Sequence, residues 1–208
     1  MSDATDICEP DKVRWRGSKE PYIRMYNLAK FNLANPKPED WLDVAGHAYH
    51  LAGINRYTGA SRFSIAQHMV VGARMAERFY PDNALLPARF MIHDYAESVY
   101  GDMSSPLKSM CPDYKHWLEV VAEPTVEKAF DLLYLGVPEV KELDYRMWLT
   151  ERLTVFPLLS KTDDYGGALE PFPLTREELE EHFGRWSPEK AEAEYLFEFR
   201  RLLPWVQW

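Results

Sequence analysis

The sequence predicts an all-α protein, a single domain built from six to nine helices. Apolar residues recur at helical spacing along most of the chain, helix-start signals precede these stretches, and no alternating strand pattern lasts. The length of 208 residues suits one domain, because domains average roughly 100–200 residues. We expect an irregular N-terminal arm (residues 1–37), a helical core (38–160) and a C-terminal helical extension (161–208) packed on that core.

The first elements are set by proline and by helix caps. Prolines and a glycine interrupt residues 1–37, so we predict an irregular arm with a short helix at residues 22–31. A helix is predicted from Pro38 to about Ile54, because proline suits a first turn and the carboxylates that follow suit the positive end of the helix dipole. Apolar residues at helical spacing predict the second helix over residues 64–79.

The remaining helices follow from the same signals. A third helix is predicted over residues 83–100, with a later start if Pro87 occupies its first turn, and Gly101 ends it. Two helices flank Pro124, another covers residues 138–159, and a loop follows over 162–173. Near the C-terminus, a Thr175-x-x-Glu178 capping box and a Ser187-Pro188 start each predict a helix.

The charge balance limits the classes of partner. The chain has 24 Lys and Arg residues against 33 Asp and Glu, a formal net charge of −9. Proteins that bind nucleic acid or anionic membranes in general present a basic face, so we expect neither partner. A small anionic ligand held by a few local cations is compatible with this balance. The apolar runs are too short to cross a bilayer and residues 1–10 do not resemble a signal peptide, so we expect a cytoplasmic protein.

The dipeptide His93-Asp94 is the centre of the candidate site. Glu97 follows one helical turn later, which would place all three side chains on neighbouring parts of one helix face. Apolar residues on both sides predict that this face is largely buried. Because buried imidazoles and carboxylates are costly without partners, a divalent cation there would compensate them.

His68 and Asp144, on other predicted helices, could complete such a site. Two imidazole nitrogens and two carboxylates suit a transition metal such as Co, Mn or Zn. A bound metal of this kind lowers the pKa of a water ligand and yields hydroxide near neutral pH. The residues alone leave the alternative open that both histidines are hydrogen-bonded core residues. His47 and His50, three residues apart, are interpreted as a structural pair that bonds the arm rather than as a second metal site.

The order His68, His93-Asp94 and Asp144 resembles the HD-domain phosphohydrolase superfamily. Residues 93–108 read HDYAESVYGDMSSPLK and resemble the pattern HDxxExxxGDxxxPxK of the bacterial 5′-deoxynucleotidase branch. Residues 54–57 resemble the INRW of that branch, and residues 66–68 resemble its AEH. The resemblance covers about residues 40–160.

Residues 45–68 resemble the phage form of this branch. One group of these phage proteins is similar to the dATP triphosphohydrolases of phages that replace adenine with 2-aminoadenine. The resemblance implies a dATP-preferring enzyme that releases deoxynucleoside and triphosphate, in the host cytoplasm if phage-encoded, and depletes the host dATP pool. Two alternatives are a 5′-deoxynucleotidase acting on dNMPs and a non-catalytic nucleotide-binding regulator. The relatives are oligomeric, so the resemblance also implies a homo-oligomer, a hexamer or a dimer.

The resemblance implies a role for each matching residue. The metal ligands would be His68, His93, Asp94 and Asp144. Glu97 would orient or deprotonate the attacking water, and Asp102 would protonate the leaving 5′-oxygen; the alternative for Asp102 is a cap or an Asx-turn in its loop.

Binding of the substrate needs cations and a surface for the sugar. Arg56 and Lys108 would hold the phosphates, with Mg as an additional candidate cation there. Arg62 is a third candidate, although a surface salt bridge is an equal alternative for it. Tyr57 stands where the bacterial enzymes have the tryptophan that packs on the deoxyribose, and its alternative is a simple core aromatic.

Overall fold

The computed structural model describes residues 21–57, 60–155 and 169–208. This part of the protein is mostly helical with one small sheet, which confirms the all-α fold class. The α-helices in chain order are α1 (Val44–Gly53), α2 (Ile65–Phe79), α3 (Leu86–Phe90), α4 (Glu97–Tyr100), α5 (Ser105–Met110), α6 (Pro112–Trp117), α7 (Glu123–Phe130), α8 (Pro138–Val155), α9 (Arg176–Phe183) and α10 (Pro188–Leu202). Most of the predicted arm, the end of the predicted helix 138–159 and most of the predicted loop 162–173 lie outside the described residues.

A β-hairpin occupies the place of the helix predicted at residues 22–31, so that prediction is wrong. Strand β1 (Tyr22–Arg24) pairs antiparallel with β2 (Lys30–Asn32). In the turn between them, Leu28 has a φ of 68° and the Ala29 amide donates to the Asn27 side chain. Phe31 anchors the hairpin, because it is 2% exposed and its ring lies 4.7 Å from that of Trp41. Strands of three residues are too short to show an alternating sequence pattern.

The helix predicted from Pro38 is broken into two pieces. Pro38–Leu42 forms a 3₁₀ helix, and α1 begins afterwards at Val44. Asp43 causes the break, because its side chain accepts a hydrogen bond from the Gly46 amide and caps α1. Helix α2 begins where it was predicted, with the Ser64 hydroxyl as its cap.

The helix predicted over residues 83–100 is also broken, and the break falls at His93-Asp94. Residues 91–96, between α3 and α4, form successive turns with hydrogen bonds between residues three apart, such as Tyr95 N to Ile92 O at 3.1 Å. The His93 side chain donates from Nδ1 to the Phe90 carbonyl, the oxygen that the Asp94 amide would use in a regular α-helix. The dipeptide therefore lies on a tightened turn rather than on a helix face.

The C-terminal helices pack on the core. The Thr175 and Glu178 side chains form the predicted capping box of α9, and Ser187 caps α10 as predicted. Tyr195 of α10 donates to the Met91 carbonyl at 2.8 Å, which ties this helix to the turn before His93. Gln67 of α2 donates to the Gly184 carbonyl at 2.7 Å, which ties the α9–α10 connection to the helix that carries His68.

Gly72 allows α2 and α3 to approach closely. A Cβ at this position would lie 1.9 Å from Cε1 of the buried Phe90 ring. We expect Gly72→Ala to lower the free energy of unfolding by about 1–3 kcal/mol, because the ring must move within a packed core. Denaturant titration measures this change. Gly53→Ala is the control, since nothing lies within 4 Å of its added Cβ; equal stability of the two variants would contradict the prediction.

No helix among the described residues is both long enough and apolar enough to cross a membrane.

Candidate functional site

Three of the four predicted metal ligands converge on one point. The Nε2 atoms of His68 and His93 lie 3.3 Å apart, and Asp144 Oδ1 lies 3.2 Å from the first and 3.8 Å from the second. The group is assembled from α2, from the turn after α3 and from α8. Residues 68, 93 and 144 are therefore brought together by packing of three separate segments.

Outer contacts fix both imidazole rings. His68 Nδ1 lies 2.5 Å from Glu151 Oε1, and His93 Nδ1 lies 2.7 Å from the Phe90 carbonyl. A carboxylate and a carbonyl can only accept, so both Nδ1 atoms carry the proton. Both Nε2 atoms are thereby directed at the same point with their lone pairs available, which is the usual outer shell of a metal-binding histidine.

Asp94 lies beside this group, and its carboxylate contacts both the histidines and the Arg56 guanidinium. Its Oδ2 is 3.2 Å from His93 Nε2 and 3.7 Å from His68 Nε2. The same oxygen accepts a hydrogen bond from Arg56 Nη1 at 3.2 Å. The structure thus brings the fourth predicted ligand to the site and places Arg56 against it.

The donor set fits a divalent transition metal. Nitrogen and oxygen ligands lie about 2.0–2.2 Å from such an ion, which sets neighbouring ligand atoms about 3–3.5 Å apart, close to the spacing of these atoms. Asp144 Oδ1 is buried and has no hydrogen-bond partner, although the side chain as a whole is 44% exposed. Burial lowers the pKa of His93, but the neighbouring carboxylates of Asp94 and Asp144 outweigh it and raise this pKa to about 10. The cluster therefore demands a positive charge at its centre, as a proton or as a metal ion.

A cavity of about 350 Å³ opens beside the cluster, at the lower end of the range for small-molecule sites. Its described walls include four carboxylates and two cations. They are Asp94, Glu97, Asp102, Asp144, Arg56 and Lys108. Tyr57 lines the cavity as well, so seven of the ten predicted site residues lie on its walls. Because carboxylates outnumber cations, a phosphate could enter only if a bound cation offsets the excess negative charge.

Glu97 and Lys108 form an ion pair on the cavity wall. Lys108 Nζ lies 2.8 Å from Glu97 Oε1, while Glu97 Oε2 is buried without a hydrogen-bond partner. Burial and the nearby Asp94 charge raise the pKa of Glu97 to about 8, and Lys108 opposes them. Such a carboxylate holds or releases a proton near neutral pH, as a general base requires.

Asp102 reaches the cavity through the turn that ends α4. Gly101 has a φ of 79°, a conformation that glycine adopts without strain. Burial raises the pKa of Asp102, and the nearby Arg56 charge, which lowers this pKa, has a smaller effect. Its side chain makes no hydrogen bond to any described residue, so the alternative role as a cap or Asx-turn has no support in this structure.

Arg56 and Tyr57 both contact Glu151. Arg56 Nε lies 3.3 Å from Glu151 Oε2, and the Tyr57 hydroxyl donates to the same oxygen at 2.7 Å. Tyr57 has a φ of 59°, which is uncommon for a residue with a side chain and is typical of functional loops. Tyr57 also lines the cavity, where a residue that packs on the sugar is expected.

Arg62 lies elsewhere. It lines a different cavity with Arg185 and is not brought to the metal ligands. It makes no salt bridge within the described part of the chain, so neither sequence-based interpretation of this arginine describes its position.

His47 and His50 are structural. The Nδ1 atoms of His47 and His50 bond the hydroxyl and the carbonyl of Ser98, at 2.7 and 3.0 Å, and His47 Nε2 bonds the Asp40 carbonyl. Burial lowers the pKa of His47 to about 4, so it stays neutral. Their hydrogen-bond partners among the described residues lie outside the predicted arm. The His47 ring nevertheless packs edge-on against Phe31 of the arm, with the ring centroids 6.0 Å apart, so the expected contact with the arm is made by packing.

Sequence reasoning missed Glu151, which is fully buried and contacts His68, Arg56 and Tyr57. The available signal was its spacing. It follows Asp144 by seven residues on α8, two helical turns later and so on the same face.

Replacing Glu151 by glutamine is expected to weaken metal binding by about 10–100-fold, the usual effect of losing an outer-shell partner. The amide keeps the size of the side chain but removes the charge that fixes the protonated Nδ1 of His68. Metal titration followed by calorimetry measures the change. Glu142→Gln on the same helix is the control, and equal affinities of the two variants would contradict the prediction.

No protein-family model matches the chain. The uncharacterized protein YfdR of Escherichia coli (strain K12) is 30% identical over 107 residues, which cover 50% of this chain. The match covers 56% of YfdR, so the chain spans little more than half the length of this curated relative. Since that relative carries no stated activity, inference about function depends on the residues of the site.

Proposed function

We propose that the protein is a metal-dependent phosphohydrolase that acts on deoxynucleotides. The observation that carries this proposal is the convergence of two fixed imidazoles and two carboxylates beside a cavity that also holds a proton-handling carboxylate. The first candidate reaction is the conversion of dATP into deoxyadenosine and triphosphate. The substrate class rests on the resemblance of residues 45–68 and 93–108 to HD-domain nucleotidases.

His68, His93, Asp94 and Asp144 would hold the metal. When bound there, a divalent ion supplies a Lewis acid and lowers the pKa of a water molecule toward neutrality. The protein contributes the fixed direction of the ligand atoms, because Glu151 and the Phe90 carbonyl prevent either imidazole from turning.

Glu97 and Asp102 divide the proton transfers. Glu97 Oε2 is free to orient and deprotonate the attacking water while Lys108 holds the other oxygen. Asp102, whose pKa burial raises, donates a proton to the leaving 5′-oxygen. A site that only binds a nucleotide needs neither group, which disfavours the role of a non-catalytic regulator.

Arg56 and Lys108 are the cations available for phosphate. Both already pair with carboxylates, Arg56 with Asp94 and Lys108 with Glu97. Two cations suit a monophosphate at least as well as a triphosphate, whose charge is larger. This observation favours a 5′-deoxynucleotidase acting on dNMPs as the second candidate function.

A product assay distinguishes the two reactions. The purified protein is incubated with dATP or dAMP and with Mn²⁺ or Co²⁺, and the products are separated by anion-exchange chromatography. We expect deoxyadenosine and triphosphate from dATP, and no product after treatment with a chelator. Orthophosphate from dAMP with dATP unchanged would overturn the first candidate in favour of the second. No turnover of any dNTP or dNMP would overturn the phosphohydrolase proposal.

A further inference from the structure

We propose that a second anion site, separate from the metal cavity, binds an oligophosphate group between Arg62 and Arg185. A cavity of about 260 Å³ lies between the loop before α2 and the connection of α9 to α10. The two arginines line it together with the rings of Phe63 and Phe183, which are stacked at 6.0 Å. This inference does not depend on the proposed function.

The charge of this cavity is opposite to that of the metal cavity. None of its described lining residues is acidic. Neither Arg62 nor Arg185 makes an ion pair within the described ranges, although Arg74 and Arg78 on neighbouring α2 each pair with glutamate. Both arginines are exposed at the edge of the same cavity, so an anion bound there would be attracted by two positive charges.

Two carbonyls at the nearby helix end are already hydrogen-bonded within the protein. Helix α9 ends at this cavity, and free carbonyls at a helix C-terminus carry partial negative charge. Here Gln67 Nε2 donates to the carbonyls of His182 and Gly184, at 3.1 and 2.7 Å, so these acceptors are already bonded.

The chemistry of the walls selects the ligand class. Guanidinium groups bind phosphate oxygens in a bidentate manner, and two of them suit an extended oligophosphate better than a single carboxylate. The volume admits two or three linked phosphoryl groups. Free inorganic triphosphate and the triphosphate of a nucleotide share this chemistry, so both are tested as sources.

The position suits a regulatory site. Arg62 belongs to the loop that also carries Arg56 and Tyr57, and the Arg56 amide donates to the Phe63 carbonyl at 2.9 Å across it. Thr154, another lining residue, is hydrogen-bonded to the Glu151 carbonyl at 2.8 Å. An anion held there contacts the loop and the helix that together support the metal ligands.

Calorimetric titration of the metal-free protein with sodium tripolyphosphate, and separately with dATP, tests the site at fixed ionic strength. We expect Arg62→Gln and Arg185→Gln each to weaken binding of tripolyphosphate by about tenfold, the effect of losing a charged hydrogen bond. Two control variants accompany these. Arg176→Gln removes the same charge at an exposed position of α9, and Lys108→Gln removes a charge from the wall of the metal cavity. Neither should change the affinity of the metal-free protein for tripolyphosphate by more than about twofold, because the excess of carboxylates keeps phosphate out of the metal cavity when no cation is bound there.

Three results would overturn the proposal. The first is the absence of tripolyphosphate binding, including the case in which only dATP binds. The second is a loss of affinity in Lys108→Gln but not in the arginine variants, which would place the anion in the metal cavity. The third is an equal loss in Arg176→Gln, which would indicate an effect of net charge alone.

Discussion

Replacing Asp144 by asparagine is expected to abolish tight metal binding and to reduce turnover by at least about 10³-fold. The reason is that a catalytic metal stabilises the charge of the transition state by several kcal/mol. Asp144 Oδ1 is the buried atom that faces both Nε2 atoms and has no hydrogen-bond partner. An amide of the same shape keeps an oxygen there but lacks the negative charge that balances a divalent ion. The side chain is partly exposed, so the variant should fold.

Metal content after gel filtration, measured by elemental analysis, checks this result separately from activity. The wild-type protein should retain about one equivalent of Mn²⁺ or Co²⁺ and should lose thermal stability on chelation, because a bound ligand stabilises the native state. The variant should show neither property. Asp113→Asn, an exposed carboxylate in the first turn of α6, is the matched control. Retention of metal by Asp144→Asn would remove this residue from the ligand set.

The fold was predictable where a local contact decides it. The caps at Ser64, Thr175 and Ser187 each bond an amide three residues away, so the sequence contains both partners. The break at residues 91–96 depends instead on the His93 ring bonding the Phe90 carbonyl and on burial against the other helices. The helical spacing of apolar residues does not reveal whether the chain forms one continuous helix or breaks at these residues. For the same reason it does not reveal a hairpin made of two short strands.

The candidate site shows the same division. The four predicted ligands could be identified from their residue types and motifs, and the packing of three separate segments brings them together. Glu151 bears no motif, and its importance appears only when α8 packs against α2 and brings it to His68. Arg62 illustrates the converse, because it lies only six positions after Arg56 in the chain and yet lines a different cavity. Proximity in sequence therefore does not establish a shared phosphate site.

Replacing Glu97 by glutamine is expected to lower turnover by about 10²–10⁴-fold while metal binding is retained, the usual contribution of a general base. Glutamine keeps an oxygen that can accept from Lys108, so the cavity wall is preserved. What disappears is a second oxygen able to take a proton from water. Glu119→Gln, an exposed residue outside the cavity, is the control, and a Glu97→Gln enzyme with normal turnover would exclude a role for Glu97 in proton transfer.

The pH profile separates a general base from a residue that only shapes the cavity. Burial and the Asp94 charge raise the pKa of Glu97 to about 8, against the effect of Lys108. A base acts in its ionised form, so wild-type turnover should rise with pH through this pKa, and a bound metal ion should shift the rise to lower pH. Residual turnover of Glu97→Gln should lack that rise. If the variant still binds dATP as tightly as the wild type, the loss lies in chemistry, which a non-catalytic regulator could not show.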